Sequence, residues 1–360
     1  LINIKEKCYY YFKSNYINKI LILMHIKKNL IIVQTKKHLF FLEDTLLIKS
    51  LFSFILIIIY FAIENYDILD YFIQNKYKYY SCVANTGKFE NKYAREFIEH
   101  YLSLGVEKFY LMDDNLIDGE RLVDVLKDYV NKSIVKIIDN RGKKVGMTDF
   151  YEYILKYTRY KCKWLLYYDY DEHLEFVDKN MTIKKYLSQK VFDKCDVVKI
   201  HWLMYYDNGL AKYDNRTLKE RFKISTKQTF ENNFHKSAVR VRKYPDYMWT
   251  ELTGPHQPNE SLVNMCDSIG ELSNIRHGYL SYPNYKCCYL KHYSMKTAEE
   301  YAIKLLRGEP KETKYTLNEL NEKLFRFFKY NNFSKIKLSF FEKILNRTFP
   351  LYHDSKNKSK

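Results

Sequence analysis

Residues 164–173 read WLLYYDYDEH, and the fold turns on how this stretch divides. Its first half is a continuous apolar and aromatic run, the pattern of a strand buried on both faces rather than one alternating between core and water. Its second half turns to charge at Asp169, Asp171 and Glu172, around Tyr170. A buried strand that ends in carboxylates delivers them to the carboxyl edge of the sheet, where open α/β folds bind their ligands. Working outward, KYYSCVAN (78–85), EKFYLMD (107–113) and SIVKIID (133–139) read as further strands. NKYAREFIEHYLSLG (91–105) reads as a helix with Tyr93, Phe97, Tyr101 and Leu104 on one face, closed by Gly105. Residues 117–130 read as a second helix and 148–162 as a third, which Thr148 or Asp149 could cap. Strands separated by helices of this length form βαβ units. The expected fold class is therefore α/β, a Rossmann-like, mostly parallel twisted sheet flanked by helices.

Three segments are expected. Residues 1–75 differ in texture from the rest, 76–308 carry the α/β pattern, and 309–360 form a basic extension with two amphipathic helices over 316–346 and a charged tail. The most apolar run in the first segment, LFSFILIIIYFAI (51–63), is 13 residues long, shorter than the roughly 20 that span a bilayer core. It reads either as a signal anchor with Lys36, Lys37 and Lys49 on its cytoplasmic side or as a buried helix. The membrane-associated, single-pass, type II-like placement is the expectation carried forward over a cytoplasmic one. The strand DVVKIHWLMY (196–205) is followed by a looser stretch, 216–290, that reads as acceptor-side loops and short strands.

The net charge of +17 invites a nucleic-acid reading, but the excess is spread along the chain. No basic run is interleaved with aromatics as a stacking platform requires, so no nucleic-acid partner is expected. A basic chain also suits a polyanion as small as a nucleoside diphosphate. The seven cysteines contain no CxxC pair, which excludes a common zinc module. Their odd number argues against a full disulfide framework, leaving room for one bridge.

Asp169 and Asp171 carry the strongest chemical signal. Two carboxylates on one side of a tight turn repel each other unless a cation comes between them. A hard divalent ion, Mn²⁺ or Mg²⁺, held by these groups and by substrate phosphates, satisfies that requirement. In the acidic loop LMDDNLIDGE (111–120), Asp118 fits a helix N-cap, while Asp113 and Asp114 fit acceptors for the base and ribose of a nucleotide.

The order CVANTGKFENKYAREFIEHYLSLGVEKFYLMDDNLIDGE, then YYDYDEHLEF, then LKHYSMKTAEEYAIKLLRG (290–308) resembles the family 92 and related family-2-like glycosyltransferases of GT-A fold, over roughly residues 78–308. The resemblance implies a metal-assisted transfer from a nucleotide-sugar donor, a UDP-sugar, to a glycan or glycoconjugate hydroxyl. It places Asp169, Asp171 and His292 at the metal and Asp113 or Asp114 at the nucleoside. This chain departs from the family's Lys-Asn-Glu after the first strand and reads Ala84-Asn85-Thr86-Gly87-Lys88 there, with Asn85 the candidate nucleotide contact. His292 has its own chemical case, since an imidazole completes a sphere shared with carboxylates and phosphates. Lys304 and Arg307, three apart on a predicted helix, can present both charges to phosphate. For an inverting reaction, TELTGPHQP (250–258) supplies Glu251 and His256 as general-base candidates, ahead of Asp246. Trp202 and Trp249 can stack on an acceptor sugar, although a core role suits each better. Two rivals use the same residues: a nucleotidyltransferase, which a Gly-rich loop on the first strand would favour, and a non-catalytic carbohydrate-binding protein, which would have lost the acidic pair.

Overall fold

A computed structural model describes residues 77–143, 145–225, 229–243, 263–272, 282–307 and 315–348. The run at 51–63 and the candidates Glu251, His256, Asp246 and Trp249 lie outside these residues. Among the described residues no helix is long and apolar enough to cross a membrane.

The first strands fall where the apolar runs predict: β1 (Tyr79–Gly87), β2 (Lys108–Asp113), β3 (Val135–Asp139) and β4 (Cys162–Tyr167). Helix α1 (Asn91–Ser103) follows β1, and α2 (Met147–Thr158) precedes β4. Five further strands complete the sheet: β5 (Glu172–Phe176), β6 (Val197–Met204), β7 (His235–Arg240), β8 (Met265–Cys266) and β9 (Cys288–His292). Helices α3 (Ala298–Arg307), α4 (Leu317–Tyr330) and α5 (Lys335–Thr348) close the described chain.

The sheet order is β3-β2-β1-β4-β7-β6-β9-β5, with β8 beside β6. The four leading strands are parallel, β1 pairing with β2 and β4, and β2 with β3. Beyond β4 the sheet becomes mixed. β7 runs antiparallel to both β4 and β6, and β9 runs parallel to β6 but antiparallel to β5. This is the α/β class expected; β7 and β8 lie in the stretch 216–290 expected to hold loops and short strands, and the antiparallel placing of β7 between β4 and β6 is what that reading left open.

Strand periodicity explains why the central strands read as unbroken apolar runs. Val83, Phe109, Leu111, Trp164 and Leu166 point into one core with Tyr93, Phe97, Ile98 and Tyr101 of α1. Their alternating neighbours Cys82, Ala84, Tyr110, Met112, Leu165 and Tyr167 meet Phe150, Tyr151, Ile154 and Leu155 of α2 on the other face. Both faces are covered, so neither needs polar residues. A third cluster joins Tyr301, Ala302 and Leu305 of α3 to Leu320, Phe327 and Phe341 of the last two helices and to Met204. The C-terminal helices therefore share a core with the sheet.

Two details differ from expectation. The predicted helix over 117–130 is two short turns, Leu122–Val125 and Lys127–Asn131, and its cap comes from Asp113, whose Oδ2 accepts from the Leu122 amide at 2.7 Å. The cysteines form two bridges rather than at most one: Cys82–Cys162 ties β1 to β4, and Cys195–Cys266 ties the approach to β6 to β8. Each pair is brought together by strand adjacency across 80 and 71 residues, which local spacing does not reveal.

Candidate active site

The acidic turn is built around its middle residue. Tyr170 is buried, packed edge-on against Phe97 at 5.2 Å. Its ring fills the space a side chain would need at Gly87, where an added Cβ would run into Cε2. With Tyr170 pinned inward at the end of β1, Asp169 and Asp171 are left on the wall of a common cavity. The Asp169 amide donates to Glu172 Oε2 at 2.9 Å and the Glu172 amide to Asp169 O at 3.0 Å, closing the turn.

His292 reaches this turn through the sheet. In the β5–β9 pair Glu172 lies opposite His292, and the Tyr293 amide donates to Asp171 O at 2.8 Å. His292 Nε2 is thereby 3.7 Å from Asp171 Oδ1 and 3.9 Å from Glu172 Oε1. Burial pushes the imidazole down to about 3, in spite of Asp171, so the ring is neutral and its lone pair is available. Glu172 is fully buried, which holds its carboxyl well above the usual carboxylate range against the pull of Lys236. Its Oε1, like His292 Nδ1, has no hydrogen-bond partner.

Each aspartate has its own lysine partner. Lys236 Nζ on β7 donates to Asp169 Oδ2 at 2.6 Å and lies 3.7 Å from Glu172. Lys296 Nζ donates to Asp171 Oδ2 at 3.0 Å, and Lys304 Nζ is 3.6 Å from the same oxygen. Burial alone would raise Asp171, but Lys296, Lys304 and His292 hold it well below the usual range. Arg307 bonds Glu90 at 3.2 Å and donates to the Lys88 carbonyl at 3.2 Å.

These groups open onto a cavity of about 360 Å³. One region of its wall is Met112, Val145 and Met147 with Thr86 and Asp114; elsewhere it is lined by Lys88, Lys304 and Arg307, and by Asp169, Asp171, His292 and Trp202. Eight of the predicted site residues can thus be placed. Asp169, Asp171, His292, Asp114, Lys304 and Arg307 come together. Asp113 is buried as a loop organiser, accepting from Leu122 and from Asn115 Nδ2 at 2.8 Å. Asn85, also described, is fully buried, while its neighbour Thr86 faces the cavity. Lys88, Glu90, Lys236 and Lys296 were not singled out. Lys236 carried a visible signal, a lysine inside the otherwise buried strand HKSAVR. Trp202 packs on His292 with ring centroids 4.1 Å apart, at the site rather than only in the core.

As a metal site the arrangement is partial. Asp171 Oδ1 and His292 Nε2 are oxygen and nitrogen donors suited to Mn²⁺ or Mg²⁺, and their separation allows one ion to contact both. Among the described residues no three His, Cys, Asp or Glu side chains close on a common ion position by themselves.

The profile of glycosyltransferase family 92 matches residues 77–324. The chain belongs to glycosyltransferase family 92. Family membership makes it a glycosyltransferase of GT-A-type fold and sets the nucleotidyltransferase reading aside. No curated protein matches the chain. Among solved structures, S. aureus TarS is similar over 70% of this chain and 44% of its own, at 14% identity and a TM-score of 0.35. This chain thus spans less than half of that TarS chain. A shorter TarS structure in complex with UDP-GlcNAc is similar over 74% of this chain and 80% of its own, at 11% identity and a TM-score of 0.28. The mannosyltransferase PcManGT from Pyrobaculum calidifontis, in complex with GDP-Man and Mn²⁺, is similar over 35% of this chain and 36% of its own, at 9% identity and a TM-score of 0.27.

Proposed function

We propose that this family-92 enzyme transfers a hexosyl group from a nucleoside diphosphate sugar, a UDP-sugar, to a glycan or glycoconjugate hydroxyl, assisted by Mn²⁺ or Mg²⁺ and with inversion. The observation that carries the reading is the convergence of Asp169, Asp171, His292, Lys304 and Arg307 on one cavity at the carboxyl edge of the parallel strands.

Each part of the wall suits one part of such a donor. Asp114, held by Asn140 Nδ2 at 2.7 Å, is placed beside Met112 and Met147 to accept from a ribose or base. Lys304, Arg307 and Lys88 present positive charge to the diphosphate, with Arg307 oriented by Glu90. Asp171 and His292, with Asp169 beside them, would hold the divalent ion, which when bound neutralises charge on the departing diphosphate as a Lewis acid. Trp202 and His292 border the space where the sugar would lie. Glu251 and His256 are the general-base candidates on sequence grounds.

The two disulfides favour an oxidising compartment. They support a catalytic body held on the lumenal or outer side of a membrane, with Leu51–Ile63 as the anchor.

Titrating the full chain with uridine diphosphate, with and without Mn²⁺, tests the reading. Binding that requires Lys304 and Arg307 is expected. If the diphosphate leaves both heat and melting temperature unchanged in the presence of Mn²⁺, the assignment of the cavity is wrong.

A further inference from the structure

Lys236 reaches the acidic turn but does not line the cavity. It comes from β7, 67 residues after Asp169, opposite Ile200 of β6, and only 2% of its side chain is exposed. A buried ammonium is costly unless paired, and its pairing is specific: Asp169 at 2.6 Å and Glu172 at 3.7 Å. Beside it the turn is packed in place, with the Tyr170 ring against Gly87.

We infer that Lys236 is a positioning residue and internal counter-cation. It fixes Asp169 and offsets the charge of the turn, so that a divalent ion binds there together with the nucleoside diphosphate and only weakly without it. The inference rests on the metal-assisted reading above. With Lys236 on Asp169 and Lys296 on Asp171, the turn exerts little net attraction on a divalent ion approaching alone. Among the described residues the protein donors also fail to enclose one. A diphosphate brings both the negative charge and the oxygen ligands that are missing. Each ligand then strengthens the other by the same factor, as linkage requires.

The test is titration of the full chain with Mn²⁺, followed by the free-ion spectroscopic signal, with and without uridine diphosphate. The wild type is expected to bind Mn²⁺ at least about tenfold more tightly with the diphosphate than without. Lys236→Met should bind Mn²⁺ alone about tenfold more tightly than the wild type, should lose most of the coupling, and should lose kcat more than donor KM. Lys236→Arg should restore the coupling. If the Met variant is not recovered folded, Lys236→Gln, which keeps a donor to Asp169 without the charge, replaces it. Equal Mn²⁺ affinity and equal coupling in the wild type and the uncharged variant overturn the inference. A wild type that never binds Mn²⁺, beside an uncharged variant that does, sinks the metal-assisted reading but keeps Lys236 as counter-cation; binding in neither sinks both.

Discussion

His292 and Glu172 face each other across the β5–β9 pair, and this register brings a neutral imidazole to within 3.7 Å of Asp171. His292→Ala is accordingly expected to weaken Mn²⁺ and uridine diphosphate binding together, by at least about tenfold. Calorimetric titration reads this directly. Unchanged affinities with a lowered melting temperature would make His292 a packing residue beneath Trp202.

Asp171→Asn should cost stability as well as activity. On sequence alone, removing one of two repelling carboxylates looks nearly harmless to the fold. In the structure Asp171 is the partner of Lys296, whose side chain is 4% exposed, so the change strands a buried ammonium. About 3 kcal/mol of destabilisation is expected, limited by Glu90 at 3.6 Å from Lys296. The double variant Asp171→Asn, Lys296→Met should recover much of it in chemical denaturation; no recovery would show that the pair is not the cause.

Gly87→Ala tests how the turn is held. The new methyl meets the Tyr170 ring, and overpacking of this kind costs about 1–3 kcal/mol. Adding Tyr170→Leu should relieve the clash. If Gly87→Ala melts like the wild type, Tyr170 is not what anchors Asp169 and Asp171.

Acid should destabilise the fold from about pH 6.5 downward. Burial lowers His100 and His201 to about 4, from an ordinary 6.5. Between those values the unfolded chain binds protons that the folded chain refuses. Stability therefore holds above about pH 6.5 and declines as pH falls toward 4, by up to about 1.4 kcal/mol per pH unit for each group. Melting temperature against pH checks this, and His201→Gln should flatten the profile. A flat wild-type profile over that range would contradict the burial of both rings.

The sequence carried the parallel half of this protein well, because β1, β2 and β4 are largely buried on both faces and read as apolar runs. It also carried Asp169, Asp171, His292, Lys304 and Arg307, each marked by local pattern or by motif. What it hid depends on contacts between distant segments. Lys236 meets Asp169 only because β7 inserts antiparallel beside β4, and the cysteine pairs only because β1 adjoins β4 and β6 adjoins β8. Within acidic loops, residue type does not tell orientation: Asp113 turns inward to cap Leu122 while Asp114 faces the cavity, and Asn85 and Thr86 divide in the same way.

If the cavity above the Asp169–Asp171 turn handles a nucleotide sugar with a divalent ion, the full chain should release nucleoside diphosphate from a panel of nucleotide sugars in Mn²⁺ but not in excess chelator. Release from a UDP-sugar that stops on chelation and returns when Mn²⁺ is restored is the expected result. Release that continues undiminished in chelator, or no release from any sugar nucleotide by folded protein containing Mn²⁺, would contradict it.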